Sequence, residues 1–174
     1  MHSDAEKYSK LIHDRDLENS VLNQQRKLYE SGKVFELPEE LKRALEENNI
    51  FIEYGYEWLR SFSDNKKEKQ KLVKSNPFLP YSLIVSSEDL ARIQNIAFEE
   101  TLPNVIPIIE KEKLEDTLTV KQGKNIHSAG SMDFIINFDD RILNKNYLKD
   151  ITDVLAIKIE KNNETIDKAQ EALK

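Results

Sequence analysis

Tyr81–Ile93 reads YSLIVSSEDLARI, and this stretch decides the fold class. YSLIV is a short run that ends in three consecutive apolar residues, Leu83–Ile84–Val85. That is the signature of a strand covered on both faces. Ser86–Ser87–Glu88–Asp89 follows at once, with side chains that cap a helix N-terminus and acids that suit the first turn. Leu90, Ile93, Ile96 and Ala97 then recur at helical spacing, and Pro103 ends the pattern. A buried strand running into an amphipathic helix predicts an α/β body.

Outward from that core, Val105–Ile109 (VIPII) reads as a second strand. Pro107 removes a ladder donor, which puts this strand at an edge or a bulge. Leu118–Val120 and Met132–Phe138 (MDFIINF) read as further strands, and the polar KQGKNIHSAGS between them as a flexible loop. On the N-terminal side, Ile50–Tyr54 (IFIEY) is a short β-rich run stopped by Gly55. Tyr56–Phe62 is a short helix. Ser63–Asp64 caps a helix through Lys74, and Asn76–Pro77–Phe78–Leu79–Pro80 breaks the chain. Leu37–Pro38–Glu39–Glu40 opens another helix that closes at Asn48–Asn49.

Two long helices flank this body. Residues 4–31 contain neither Gly nor Pro, and Tyr8, Leu11, Ile12, Leu22 and Tyr29 form one stripe. Leu17, Val21 and Leu28 fall roughly opposite, so the helix is expected to touch two neighbours or to bend. Gly32 is placed to cap it. From Tyr147 to Lys174 one stripe contains Leu148, Ile151, Leu155, Ile159, Ile166, Ala169 and Leu173. The positions 159, 162, 166, 169 and 173 make a heptad seam that includes Asn162, with a stutter between Leu155 and Ile159. Each helix would be about 42 Å long. Neither stripe can stay exposed along that length, so the two are expected to pair antiparallel. The expected architecture is an α/β body, a mixed sheet with packed helices, inserted between two long antiparallel coiled-coil helices. The expected divisions are an arm at 1–35, the body at 36–143 and a second arm at 144–174. The chain is expected to be a segment of a longer coiled-coil protein.

Composition narrows the function. Charged residues make up 33% of the chain and hydrophobic residues 39%, which favours long solvated helices on a modest core. The net charge of −6 excludes a generally basic nucleic-acid surface but not a local patch. Without cysteine there are no thiolate metal sites, disulfides or cysteine nucleophiles. No apolar run spans a bilayer and no leader pattern opens the chain, so a cytoplasmic protein without membrane contact is expected. The four glycines fit neither GxxxxGK[ST] nor GxGxxG, so no nucleotide cradle is expected.

No catalytic, cofactor or metal set stands out. His127–Ser128 lacks a third orienting group. Asp133, Asp139 and Asp140 have no cation-loop spacing, and Asp139 or Asp140 reads better as a helix cap. Acid–x–Lys pairs such as Glu40–Leu41–Lys42 and Asp64–Asn65–Lys66 keep a small α/β nuclease or other carboxylate-site enzyme as an alternative. Lys66, Lys67, Lys69, Lys71 and Lys74 form a basic helix in an acidic protein. It is either a solvated face or a contact for DNA phosphates without base reading. The aromatic set Phe51, Tyr54, Tyr56, Trp58, Phe62, Phe78 and Tyr81 is core, with part of it available as an interface.

The order LEENNIFIEYGYEWL, NPFLPYSLIVSSEDLARI, NVIPIIEKEKLED resembles the hinge-type middle domains of SMC-like chromosome-segregation ATPases. There a turn and short helix precede a buried strand, an acidic-capped helix and a proline-containing strand. NPFLPYSLIV also resembles the central domain of large bacterial SMC-like ATPases of the plasmid-defence or condensin-like kind. The resemblance implies a non-catalytic hinge and dimerisation role in chromosome segregation or DNA maintenance. It implies ATPase heads outside this stretch, other subunits of such a complex as partners, and a homodimer. Tyr54, Tyr56, Trp58 and Phe78 are the expected dimer contacts. A coiled-coil adaptor binding another protein is the further alternative.

Overall fold

The computed structural model describes residues 2–98, 105–114, 121–122, 126–129, 132–136 and 138–174. The expected strand at Leu118–Val120 and the helix stop at Pro103 lie outside these. The chain mixes helices with small sheets, and its contacts divide it into two units. One joins the residues up to Glu36 with Asn144–Lys174, and the other is Leu37–Leu143.

The first unit is a pair of long helices, α1 (His2–Glu30) and α6 (Lys145–Ala172). They run antiparallel. Glu18 bonds Lys158 at 3.0 Å, Asn19 meets Asn162 and Asn163, and Gly32 lies beside Lys145. Leu22, Ile166 and Ala169 are buried along the seam. Asn162 is buried there too, as its place in the heptad pattern predicts. Its Nδ2 donates to Asn19 Oδ1 at 2.9 Å, and Asn19 Nδ2 donates to Asn163 Oδ1 at 2.8 Å. α1 ends in a glycine cap. Gly32 sits at φ 76°, its N–H donates to Tyr29 O, and the Lys33 N–H donates to Leu28 O. This is the paired bonding that a left-handed residue makes available at a helix end. At the other helix, Asn144 caps α6 by accepting from Asn146 N. Asp139 caps the separate 3-10 turn Asp140–Leu143, as expected of one of the two acids, by accepting from Arg141 N at 3.0 Å.

The second unit is built on a three-stranded sheet in the order β1 (Glu53–Tyr54), β2 (Leu83–Val85), β3 (Ile108–Glu110). β1 pairs antiparallel to β2 and β3 parallel to it. The central strand is buried at every residue, which is why its sequence is continuously apolar. It is shorter than YSLIV suggests, because Leu79–Tyr81 is a 3-10 turn. β3 is an edge strand, and Pro107 lies just before it and contributes only its carbonyl, which accepts from Leu83 N at 2.9 Å. The expected strand over 105–109 therefore begins later, at Ile108. Likewise only Glu53–Tyr54 of IFIEY is paired.

Helices α2 (Glu39–Glu47), α3 (Gly55–Phe62), α4 (Lys66–Ser75) and α5 (Ser87–Ile93) complete this unit. Ser86 caps α5 by accepting from Asp89 N at 3.0 Å, as the sequence signals. α5 stops at Ile93, well before Pro103. Its buried residue is Asp89, while Leu90, Ile93 and Ile96 are half-buried. Leu59, Leu79, Ile84 and Leu114 form the core, with Trp58, Leu72, Val73, Ile109 and Leu143 packed around it.

A second three-stranded sheet runs β4 (Lys121–Gln122), β5 (Ile126–Ala129), β6 (Met132–Ile135), antiparallel throughout. The polar segment expected to be a loop is thus partly a strand. Its alternation of Ile126 and Ser128 with His127 and Ala129 has the period of a sheet, a signal weakened by its polar residues.

Candidate functional site

Two surfaces were nominated by the sequence, one aromatic and one basic. The structure sets the aromatic residues in separate pairs rather than in one cluster. Tyr56 is fully buried. It stacks on Tyr54 at 5.4 Å, and the Arg60 guanidinium lies 5.0 Å over its ring. Trp58 packs on the core and stacks on Phe62 at 4.7 Å. Phe78 meets Phe134 of β6 edge-on at 4.9 Å. Tyr56 has no surface to offer a partner, which corrects its place among the interface residues. Tyr54, Trp58 and Phe78 keep part of their surface.

The exposed apolar surface of this unit lies elsewhere. Phe51 is 81% exposed, Ile135 84% and Met132 59%. Ile126 and Ile135 face each other across β5 and β6. They share a face with Ser128 and Asp133, whose Oγ and Oδ1 are bonded at 2.6 Å. Phe134 and His127 take the opposite face by the pleat. This exposed pair could have been found only by reading 126–129 as a strand. In the helix pair, Leu17 and Val21 of α1 and Val154 and Ile157 of α6 are also exposed. The outer α1 stripe is therefore real, and no neighbour covers Leu17 or Val21.

Four of the five lysines on α4 are exposed, and Lys69 is half-buried. Lys66 bonds Asp140 at 3.1 Å, and Lys69 Nζ donates to Arg60 O at 3.3 Å. Both serve the fold. Lys67, Lys71 and Lys74 are exposed at i, i+4 and i+7, along one face. Glu68 and Asp140 are engaged. Glu68 is held over the helix start by Ser63 Oγ at 2.7 Å and Asn65 Nδ2 at 3.2 Å. Asp140 also accepts from Gln70 at 3.0 Å. The helix begins one residue later than expected, with Asn65 as its cap, accepting from Lys67 N.

Of the carboxylates considered for chemistry, Asp133 meets Ser128, Asp139 meets Arg141 and Asp140 meets Lys66. Asp139 accepts from the Arg141 guanidinium, which holds its carboxyl below the usual range. Arg60 donates to Ile142 O at 3.0 Å and Leu143 O at 3.2 Å, closing the 3-10 turn. Partial burial draws its pKa down, opposed by Tyr56 and Glu57. Among the described residues, no three His, Asp or Glu side chains come together as a metal-binding group. Among them, no helix is long and apolar enough to cross a membrane. His127 Nδ1 is enclosed without a hydrogen-bond partner among the described residues, and Ser128 is bonded to Asp133. No family model, curated protein or solved structure matches the chain.

Proposed function

We propose that this chain is a non-catalytic, hinge-like dimerisation segment of an SMC-like ATPase acting in chromosome segregation or DNA maintenance. The observation that supports this reading most is the antiparallel pairing of α1 with α6. The chain leaves one long helix and returns along the other, with Gly32 next to Lys145, and residues 37–143 form the unit between. In a longer chain the two helices would continue as coiled-coil arms toward ATPase heads. A hinge must also join two such chains. Exposed Phe51, Ile126 and Ile135 are apolar groups of the kind a partner copy buries, and a specific interface would cover about 1,000 Å² or more. Sedimentation equilibrium of the whole chain across the micromolar range is expected to give a dimer. A strict monomer throughout would sink the reading and favour an adaptor that binds a different protein.

Weak, sequence-independent DNA contact is part of the same proposal, carried by the exposed lysines of α4, with Lys67 and Lys71 one turn apart on one face. Lysines supply point charge to phosphates and read no base edges. Lys67→Glu/Lys71→Glu is expected to weaken binding of unrelated labelled duplexes alike and to lower the salt slope by roughly 2. An unchanged slope would remove α4 from the DNA contact.

A further inference from the structure

We infer that Asn19, Asn162 and Asn163 form a register lock, which fixes how far α1 and α6 slide along each other. Asn19 is 8% exposed and Asn162 6%, alongside buried Leu22, Ile166 and Ala169; Thr152, also buried on α6, satisfies its hydroxyl within its own helix at Lys149 O. The two bonds, 2.9 Å and 2.8 Å, use both the amide and the carbonyl of Asn19. A buried amide that loses its partner is penalised far more than a made bond is rewarded. The layer therefore acts mainly by excluding alternatives, as single polar residues do in helical seams.

The sequence shows what each alternative would bring. Sliding α1 by four residues puts Arg15 or Asn23 where Asn19 stands. Asn23 would restore an amide, but the same slide replaces Leu22 with Arg26. The opposite slide replaces Leu22 with Glu18. Sliding by seven puts Arg26 or Ile12 against Asn162. Ile12 leaves the Asn162 amide without a partner, and that slide also carries Arg15 to the place of Leu22. Each displaced register is thus disfavoured by a buried charge, an orphaned amide, or both, which corresponds to roughly 10- to 100-fold. Glu18, held by Lys158 at 3.0 Å and Arg15 at 2.6 Å, sits beside the layer and supports the same register from the surface.

The lock is independent of any hinge role, and so is its test. In the full chain, cysteine pairs replace Glu18 and Lys158 for the native register. Pairs replacing Glu18 and Thr165, or Glu18 and Ile151, report slides of one heptad. The parent is expected to oxidise to a crosslink only in the native pair. In Asn19→Leu/Asn162→Leu, the displaced pairs are expected to crosslink as well, while the melting temperature stays at or above that of the parent. Asn162→Leu alone leaves Asn19 Oδ1 facing leucine, while Asn19 Nδ2 keeps Asn163, so it should melt below both. Three results would overturn the lock: a double variant that still crosslinks only in the native pair, a double variant that fails to fold, or single and double variants with the same melting temperature.

Discussion

Gly55→Ala disrupts folding of the 37–143 unit. Gly55 is buried and opens α3 directly after β1, where its N–H donates to Ser82 O at 2.8 Å. A Cβ there would stand 1.7 Å from Leu79 O, 2.9 Å from Leu79 C and 3.2 Å from Ser82 O. All three atoms are backbone, and their neighbours hold them. Leu79 O accepts from Ser82 N, and Ser82 Oγ donates to Phe78 O at 2.7 Å. No side chain can rotate away to make room, so the turn before β2 must move and take the central strand with it. The expected cost exceeds about 3 kcal/mol, beyond ordinary overpacking and comparable with much of a domain's stability. Trp58 is the chain's one tryptophan and packs on that core, so its emission reports the loss. Gly32→Ala is the control. Its Cβ would meet only Lys145 Cε, at 3.8 Å, and its cost comes from φ 76° alone, about 1 kcal/mol. Trp58 emission and a melting curve equal to those of the parent for Gly55→Ala would refute the close approach.

The clearest features of the sequence are those encoded within a few residues. The Ser86 cap, the Gly32 stop and the apolar run of β2 each need only local chemistry, and each stands where the sequence puts it. Asn162 is identified in the seam by the alternation of three and four alone. Boundaries fail where longer contacts decide them. YSLIV is trimmed because Leu79–Tyr81 is a 3-10 turn, and MDFIINF because, among the described residues, pairing stops at Ile135. β5 is missed because a strand with Ser and His at alternate positions looks like a loop until its neighbours are known.

The surfaces are harder to read for the same reason. An aromatic residue has one side-chain chemistry whether its neighbour is its own chain or another. Phe78 finds Phe134, and Arg60 finds Ile142 and Leu143, across spans that no periodicity connects. Lys66 finds Asp140, equally remote in sequence. Helical spacing does place Lys67, Lys71 and Lys74 on one face, but it does not show that Lys66 and Lys69 are occupied. Conversely, the outer α1 residues Leu17 and Val21 are legible as a second stripe, and their exposure leaves that stripe uncovered.

Leu59→Ala tests whether the small core of this unit is as tightly built as the burial implies. Leu59 is fully buried on α3, and its cluster joins separate elements of the unit: Leu79 of the 3-10 turn, Ile84 of β2, Ile109 of β3, Leu72 and Val73 of α4, and Leu114 and Leu143 beyond. Removing the side chain forfeits its transfer energy and leaves a cavity. The neighbours are tied to separate elements, and β2 is buried at every residue, so they cannot all move inward together. The cost is expected at roughly 3 kcal/mol, within the 2–5 kcal/mol seen for such truncations. Phe51→Ala removes a larger side chain from the same unit, but that side chain is 81% exposed, so its cost should stay within about 0.5 kcal/mol. Denaturant unfolding followed by Trp58 emission separates the two, because Trp58 packs beside Leu59. If both variants shifted the midpoint equally, burial would not be what holds this unit together. If Phe51→Ala instead shifted it only at high protein concentration, its ring would be buried in an assembly, as the dimer proposal requires.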